Sequence, residues 1–517
     1  MQKSSYSGKS TDIREIIDYA KMKQVVIASD ALQEIDDTNF KEIIDKANTN
    51  GEFMISKDFV MEFKRSEENV IPNEEKAEYV AVPEIQVEIK KSHNIYARDI
   101  DSDIKVLHET DITNRGNIEG KVGEFLQYFN ERYEELGNIL KKRPNITPVD
   151  SRYLDKRTKK NEDVVLVGML SAKGVTKNGN IMVTFDDLEG SFKVVVMQKD
   201  EDLFNLAKNL VNDDVVAIKG SKLGDDIIIA KEIEFPDLPN RTFKKSSRDV
   251  SAAVISDMHI GSSLFYEDEF QKFCDWLNMK NLDEKERETV GKIKYLFIAG
   301  DVVDGIGVYP QQFNELSIYN IYEQFDKFTS FIEQIPDYIE VIIGPGNHDS
   351  IRLADPQPAI NSEYTKSLQK LKNIHFVGSP TWIEVEGLKT LMYHGNSMFS
   401  IQQAMNLDAT KPEKTMIEML KRRDLAPIYG SRHPILPEKG GYLLMKEEPD
   451  IFITGHIHHN GYENYKGCLV VNPGCWQGQT VYQMDQGHIP TPGRVPIIEL
   501  KTGKIKEKVF IDELTKI

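Results

Sequence analysis

The stretch DIFITGHIHHNGY, residues 450–462, runs the apolar Ile451, Phe452 and Ile453 straight into Gly455 and then places His456, His458 and His459 within four positions. The chain has 517 residues and 11 histidines, so three in one short turn is a concentration that a solvent-facing loop does not need. An apolar run that stops in metal-binding side chains reads as a buried strand ending at a site. The same pattern recurs upstream. AAVISDMH ends in Asp257 and His259, KYLFIAGDVVD in Asp301 and Asp304, IEVIIGPGNHD in Asn347, His348 and Asp349, and KTLMYHGNS in His394. Helical segments such as YNIYEQFDKFTSFIEQI fall between some of these strands, an alternation that predicts an α/β layer fold. In such sheets ligands collect beyond the carboxyl ends of the strands, so residues far apart in sequence are expected to converge at one edge.

Nine of the 11 histidines follow residue 250. Carboxylate, amide oxygen and imidazole without thiolate suit Mn²⁺, Fe²⁺ or Zn²⁺, with Mg²⁺ a further candidate. Asp257, His259, Asp301, Asn347, His394, His456 and His458 are too many ligands for one ion and enough for two, with one carboxylate bridging. Such a pair clamps the attacking and leaving oxygens of a phosphoryl displacement. On an extended segment His456 and His458 point to the same side, so each is expected to reach a different ion, while Ile457 and His459 face away.

The rest of the chain divides by composition. Residues 1–65 carry apolar residues at helical spacing, with Thr11 and Thr38 as expected N-caps and Gly51 as a stop. Residues 66–155 read as a charged linker with one amphipathic helix near KVGEFLQYFNERYEELGNILKK. Residues 156–240 show five short strands with a helix between the third and fourth, the plan of an OB-fold. Phe185 and Phe192 are the aromatics on those strands, and both suit a core. Residues 249–517 form the α/β domain. The basic run Lys421, Arg422 and Arg423 reads as a phosphate contact or a solvated helix end, and Arg432 and His433 are candidate substrate contacts in a loop near the fifth motif. Cys274, Cys468 and Cys475 lack CxxC spacing and read as reduced structural thiols. The net charge of -18 argues against broad adhesion to nucleic acid without excluding it as a substrate. No apolar run reaches the roughly 18 residues of a membrane span, and the N-terminus lacks the apolar core of a signal peptide. The expected location is the cytoplasm.

Asp257-x-His259, Gly300-Asp301, Gly346-Asn347-His348-Asp349, His394-Gly395 and Gly455-His456-x-His458, in that order, resemble the motifs of the calcineurin-like metallophosphoesterase superfamily. That resemblance implies a two-sheet sandwich flanked by helices. It also implies a first metal on Asp257, His259 and His458, a second on Asn347, His394 and His456, and Asp301 as the bridge. His348 matches the non-ligand histidine that protonates the leaving oxygen. Asp349 would orient it or hold the turn, and Asp304 falls outside the metal set.

An OB-fold directly before such a domain resembles the B-type small subunits of replicative DNA polymerases. GDVVDGIGVYPQQ, DPQPAI, YGSRHPILP and NPGCWQGQT are similar to the small subunit of the archaeal D-family polymerase. The resemblance implies a multidomain chain: an N-terminal helical module, an all-β OB-fold, then the α/β metallophosphoesterase domain. It further implies a manganese-dependent 3′→5′ proofreading exonuclease. The implied partners are a large catalytic subunit and DNA 3′ ends, with a sliding clamp as a further candidate. Two competing readings are a metallophosphatase acting on other phosphoesters and a non-catalytic scaffold. The domain order weighs against the first and the complete ligand set against the second.

Overall fold

The computed structural model describes residues 13–67, apart from short internal gaps, together with 96–154 and 159–511. The chain divides into two units, Met1–Lys90 and Lys91–Ile517. In the first, α1 (Ile13–Met22), α2 (Phe40–Thr49) and α3 (Lys57–Glu67) accompany β1 (Val26–Ile27) and β2 (Met54–Ile55), which pair in parallel. Ile16, Ile43, Ile44, Ile55 and Val60 close its core. Thr11, Thr38 and Gly51 lie outside the described residues.

The second unit contains a closed five-stranded barrel and two six-stranded sheets. The barrel strands are β4 (Asp163–Val175), β5 (Ile181–Asp186), β6 (Ser191–Val196), β7 (Val215–Lys222) and β8 (Ile227–Glu234), closing in the order β4-β5-β6-β8-β7. Alternation along β5 and β6 turns Ile181, Val183, Phe185, Phe192, Val194 and Val196 inward. Phe185 and Phe192 stack at 5.7 Å in this core. A Cβ on Gly168 would lie 2.7 Å from the Phe185 Cβ, which accounts for glycine in the middle of β4.

The C-terminal strands are β9 (Ser251–Ile255), β10 (Ile293–Ala299), β11 (Glu340–Gly344), β12 (Ile374–Phe376), β13 (Thr381–Val385), β14 (Leu388–Met392), β15 (Ile451–Ile453), β16 (Asn460–Tyr465), β17 (Cys468–Pro473), β18 (Arg494–Glu499) and β19 (Ile505–Val509). One sheet runs β12-β11-β10-β9-β18-β19, and the other runs β16-β17-β15-β14-β13 and ends in β3 (Ile104–Val106). Val254, Phe297 and Ile342 of the first meet Ile383, Met392, Ile453 and Val471 of the second in one core. Helices Glu267–Leu277 and Ile321–Ile332 cover one outer face, and Met398–Met405 and Pro412–Arg422 the other. Strands buried on both faces read as near-continuous apolar runs, and β9, β10 and β15 are buried throughout, with Ser251 and Lys294 as their polar members. The three cysteines are free and buried. Among the described residues no helix is long and apolar enough to cross a membrane.

Two features differ from the sequence reading. Residues 104–106, placed in a linker by composition, pair antiparallel with β13. Leu107 continues that pairing through a backbone bond to Trp382. In the basic run 421–423, Arg422 and Arg423 are not exposed as a phosphate contact or a solvated helix end would be, because they are buried and carboxylates of the chain take their charges; Lys421 alone stays half-buried. Arg422 is 3% exposed, and its Nε donates to Asp214 Oδ1 at the end of the barrel (2.8 Å) while Nη2 donates to the Asn209 carbonyl (3.0 Å). Arg423 is buried and donates to Glu448, and Lys421 pairs with Glu418. The helix α4 (Val122–Lys141) adds a third buried cation, Arg132, whose Nε faces Asp424 Oδ2 at 3.1 Å. Barrel and sandwich are therefore joined by charges withdrawn from water. Arg422→Met is expected to destabilise this unit by about 3–5 kcal/mol, because Asp214 is left buried and unpaired. Urea unfolding measures it, and Arg422→Met combined with Asp214→Leu should recover much of the loss.

Candidate metal centre

Every group in the five motifs lies just beyond the carboxyl end of a central strand. Asp257 and His259 follow β9, Asp301 and Asp304 follow β10, Asn347 and His348 follow β11, His394 follows β14, and His456 and His458 follow β15. The loops are stitched to one another through the backbone. Asp257 N–H donates to the Gly300 carbonyl (3.0 Å), His259 N–H to Asp301 (3.1 Å) and Gly455 N–H to His394 (2.7 Å). Both sheets therefore contribute to one cluster.

The backbone is strained where the side chains converge. Asp257, His259, Asp301, His456 and His458 all have positive φ, between 50° and 69°. Non-glycine residues adopt this conformation at a cost of about 1–3 kcal/mol each, and they gather at functional sites. His456 and His458 thus sit on a left-handed turn and not on the extended segment that the spacing suggested. They still diverge, His456 toward Asp301 and His394, His458 toward Asp257 and His259. Close approach also dictates two glycines. A Cβ on Gly346 would lie 2.2 Å from Asp301 Oδ1, and one on Gly455 would lie 2.6 Å from Asp257 Oδ2.

Among the described residues three groups of side chains are spaced to hold a metal ion: Asp257-His259-His458, Asp301-His394-His456, and His259-Asp304-His348, which shares His259 with the first. In the first, the Nε2 atoms of His259 and His458 are 2.9 Å apart, and Asp257 Oδ1 lies 3.3 Å from His458 Nε2. In the second, Asp301 Oδ2 lies 3.1 Å from His394 Nε2, within ion-pair range but without hydrogen-bond geometry. Asp301 Oδ2 also lies 3.8 Å from His259 Nε2, so this carboxylate borders both groups. Partner atoms set the ring tautomers. His394 Nδ1 faces the Ala299 carbonyl at 2.7 Å, which makes it the protonated nitrogen and turns the Nε2 lone pair toward Asp301. His259 Nδ1 faces Asp304 Oδ1 at 3.0 Å, with the same consequence.

Asn347 Oδ1 and His394 Nε2 are buried and form no hydrogen bond. Buried polar atoms left in this state are costly unless something else satisfies them. An oxygen, an imidazole nitrogen and the carboxylate between two groups form a donor set that fits divalent cations of the manganese and zinc kind.

Electrostatics follow from this crowding. Burial opposes a charged His394, but the Asp301 carboxylate outweighs it and lifts its pKa to about 10. Burial, reinforced by the His394 charge, drops His456 to about 3. Without cations the raised His394 pKa stabilises the fold fully below about 6.5 and ceases to do so as pH rises through about 10. A cation competes for the same lone pair. Manganese uptake near neutral pH is therefore expected to release protons from His394 and from His458, whose pKa is also raised well above the ordinary imidazole value. Apparent affinity should then rise with pH up to about 10. Calorimetric titrations in buffers of different ionisation enthalpy measure the release.

The other motif residues take distinct positions. His348 is outside the Asp301-His394-His456 group and stands with His259 and Asp304: its ring lies 4.5 Å from the His259 ring, and Nδ1 faces the Asp304 carbonyl at 2.7 Å. Asp349, expected as the residue that orients His348 or holds the turn, accepts from the backbone N–H groups of Val303 (3.1 Å) and Gly346 (2.8 Å). One oxygen is taken by its own turn and the other by the loop after β10, and burial followed by the nearby Asp301 charge raises its pKa to about 8. Orientation of His348 comes from Asp304, which the motif match left outside the metal set. Its carboxylate is fully buried, faces His259 and accepts from Gln312 Nε2 (2.8 Å) and Gln477 Nε2 (3.1 Å). Of the two candidate substrate contacts, His433 is buried, its Nε2 2.8 Å from Asp355 Oδ2, and so serves the loop. Arg432 is exposed on the rim, its Nη2 3.3 Å from the Tyr482 hydroxyl. Sequence reading missed Gln483, whose Nε2 lies 2.7 Å from His458 Nδ1. Its only local signal is the capping box Thr480–Gln483 that starts the helix Val481–Gln486.

The fold and the site together define a multidomain α/β chain of the class of small subunits that accompany replicative polymerases: the family described as the B subunits of DNA polymerases alpha and epsilon matches residues 252–463. The DNA polymerase II small subunit of Methanothermobacter thermautotrophicus is 39% identical over 412 residues, covering 79% of this chain and 83% of that one. The DNA polymerase II small subunit of Archaeoglobus fulgidus is 36% identical, covering 88% and 89%. The chain belongs to this family, the small subunits of archaeal DNA polymerase II, the D-family enzyme. Among solved structures it is similar to a novel archaeal phosphodiesterase, with 16% identity and a TM-score of 0.26 over 50% of this chain and 99% of that one.

Proposed function

We propose that this small subunit is a two-metal 3′→5′ exonuclease that hydrolyses DNA phosphodiester bonds for proofreading, and that it also scaffolds the large catalytic subunit. In this reading residues 249–517 are a metallophosphoesterase domain and 156–240 an OB-fold. Residues 1–65 are a helical module, tethered by 66–155. The work would take place in the cytoplasm. Partners are the large subunit and single-stranded or mismatched 3′ ends, with the sliding clamp as a further candidate.

The observation that carries it is the pair of ligand groups joined at Asp301, beside a histidine that belongs to neither Asp257-His259-His458 nor Asp301-His394-His456. Asp257, His259 and His458 would hold one cation, Asn347, His394 and His456 the other, and Asp301 both. Two divalent cations, manganese first among them, supply Lewis-acid stabilisation of the phosphoryl oxygens and ionise a water near neutral pH. The protein's own groups do the rest. Asp304 and the Ala299 carbonyl keep the His259 and His394 lone pairs turned inward. The Asp304 carbonyl holds His348 Nδ1, leaving Nε2 as the nitrogen that exchanges protons. As the bond from phosphorus to the 3′ oxygen breaks, His348 delivers the proton that oxygen needs.

The test is a 5′-labelled oligonucleotide incubated with the full chain and manganese, single-stranded or ending in a mismatch. Shortening one nucleotide at a time from the 3′ end supports the proposal. Hydrolysis of phosphomonoesters alone, or no shortening even with the large subunit present, overturns it.

A further inference from the structure

Two pairs of aromatic rings adjoin the site, and neither contains a proposed ligand. Tyr309 lies 6.0 Å from the His348 ring and 5.6 Å from Tyr482. Phe399 lies 5.0 Å from the His456 ring and 4.9 Å from His488. All four are half-buried, so each pair is anchored on one side and open on another. One short segment serves both pairs. Tyr482 lies in the helix Val481–Gln486, His488 lies just past its end, and Gln483 between them touches His458. The first pair is also held in place: the Tyr309 hydroxyl donates to Glu315 Oε2 (3.1 Å), and Glu315 Oε1 accepts the Val481 N–H (2.9 Å).

We infer that these pairs are stacking platforms for the unpaired bases of a DNA 3′ end, an inference that rests on the nuclease reading above. Centroid separations of 4.9 and 5.6 Å leave no room for a base between the rings of a pair, and the rings are tilted by 60° and 34°, so a base lies against one ring of a pair and not across both. The proposed ligands, with the cations they would hold, and His348 would all be directed at the phosphate, which is the same in paired and unpaired strands. A platform discriminates, because a base inside a duplex already has both faces covered. Stacking is also indifferent to sequence, as degradation of any misincorporated end requires. The position of His348 sets the polarity. It protonates the 3′ oxygen of the retained strand, so Tyr309 and Tyr482 beside it take the penultimate base. Phe399 and His488, beside His456, take the terminal base that departs.

The experiment uses the full chain with manganese and three oligonucleotides: one natural, one lacking the terminal base and one lacking the penultimate base. With wild type, each missing base is expected to raise KM about 5- to 150-fold, the range for a ~1–3 kcal/mol stack at 1.36 kcal/mol per decade. Phe399→Leu should erase the difference for the terminal base, and Tyr482→Leu that for the penultimate base. Substitutions that weaken natural and abasic ends equally, or that change nothing, overturn the platforms. Wild type that shortens all three with one KM overturns the platforms alone. Wild type that shortens none overturns the nuclease reading and this inference with it.

Discussion

Asp301→Asn is expected to lower manganese-dependent hydrolysis by at least about 10³-fold, on several kcal/mol of lost charge stabilisation at 1.36 kcal/mol per decade. Metal analysis should find fewer than two ions per chain. Asp301 is the carboxylate that borders both ligand groups, 3.1 Å from His394 Nε2 and 3.8 Å from His259 Nε2. Its other oxygen accepts the His348 N–H at 2.8 Å, so it cannot rotate away to be replaced. An amide of the same shape keeps that hydrogen bond but removes the negative charge, and its NH₂ points a positive dipole at one ion. The His394 pKa would fall, since Asp301 is what raises it. Circular dichroism of the variant without metal separates loss of the site from loss of the fold. Two tightly held ions and full activity in Asp301→Asn would remove the bridge from the proposal.

The chemistry of this site was legible because it is written in residue types at strand ends. Asp257-x-His259 and His456-x-His458 name candidate ligands without any knowledge of contact, and the structure brings those side chains together. Spacing nonetheless misleads about how His456 and His458 reach different groups: alternation on a strand predicts two rings on one side, and positive-φ backbone at both residues sets them apart instead. What was illegible depends on long-range contact. Arg422 looks like a phosphate ligand in sequence because its partner, Asp214, is 208 positions away. Residues 104–106 look like linker because a three-residue edge strand has too little pattern to register. Gln483 and Asp304 act through histidines in other motifs, so no local spacing marks them. The barrel was easier, since its alternation and its two buried phenylalanines are local facts.

His348→Ala is expected to lower turnover on a DNA 3′ end by about 10²–10⁴-fold, the usual contribution of a positioned general acid. Unlike Asp301→Asn it should leave the metal content intact, because His348 Nδ1 is committed to the Asp304 carbonyl; fewer ions per chain in His348→Ala would instead make the group His259-Asp304-His348 a metal site. The two variants therefore separate on one measurement, ions per chain. A second measurement separates proton donation from mere packing. The ring lies against His259 at 4.5 Å, so alanine could also loosen a ligand, and that would slow every substrate alike. A missing proton slows only those whose leaving group needs one. A p-nitrophenyl phosphodiester expels p-nitrophenolate, which departs without protonation, and its hydrolysis by His348→Ala should stay close to wild type. Equal losses on DNA and on the activated diester would mean that His348 supports the site without supplying the proton.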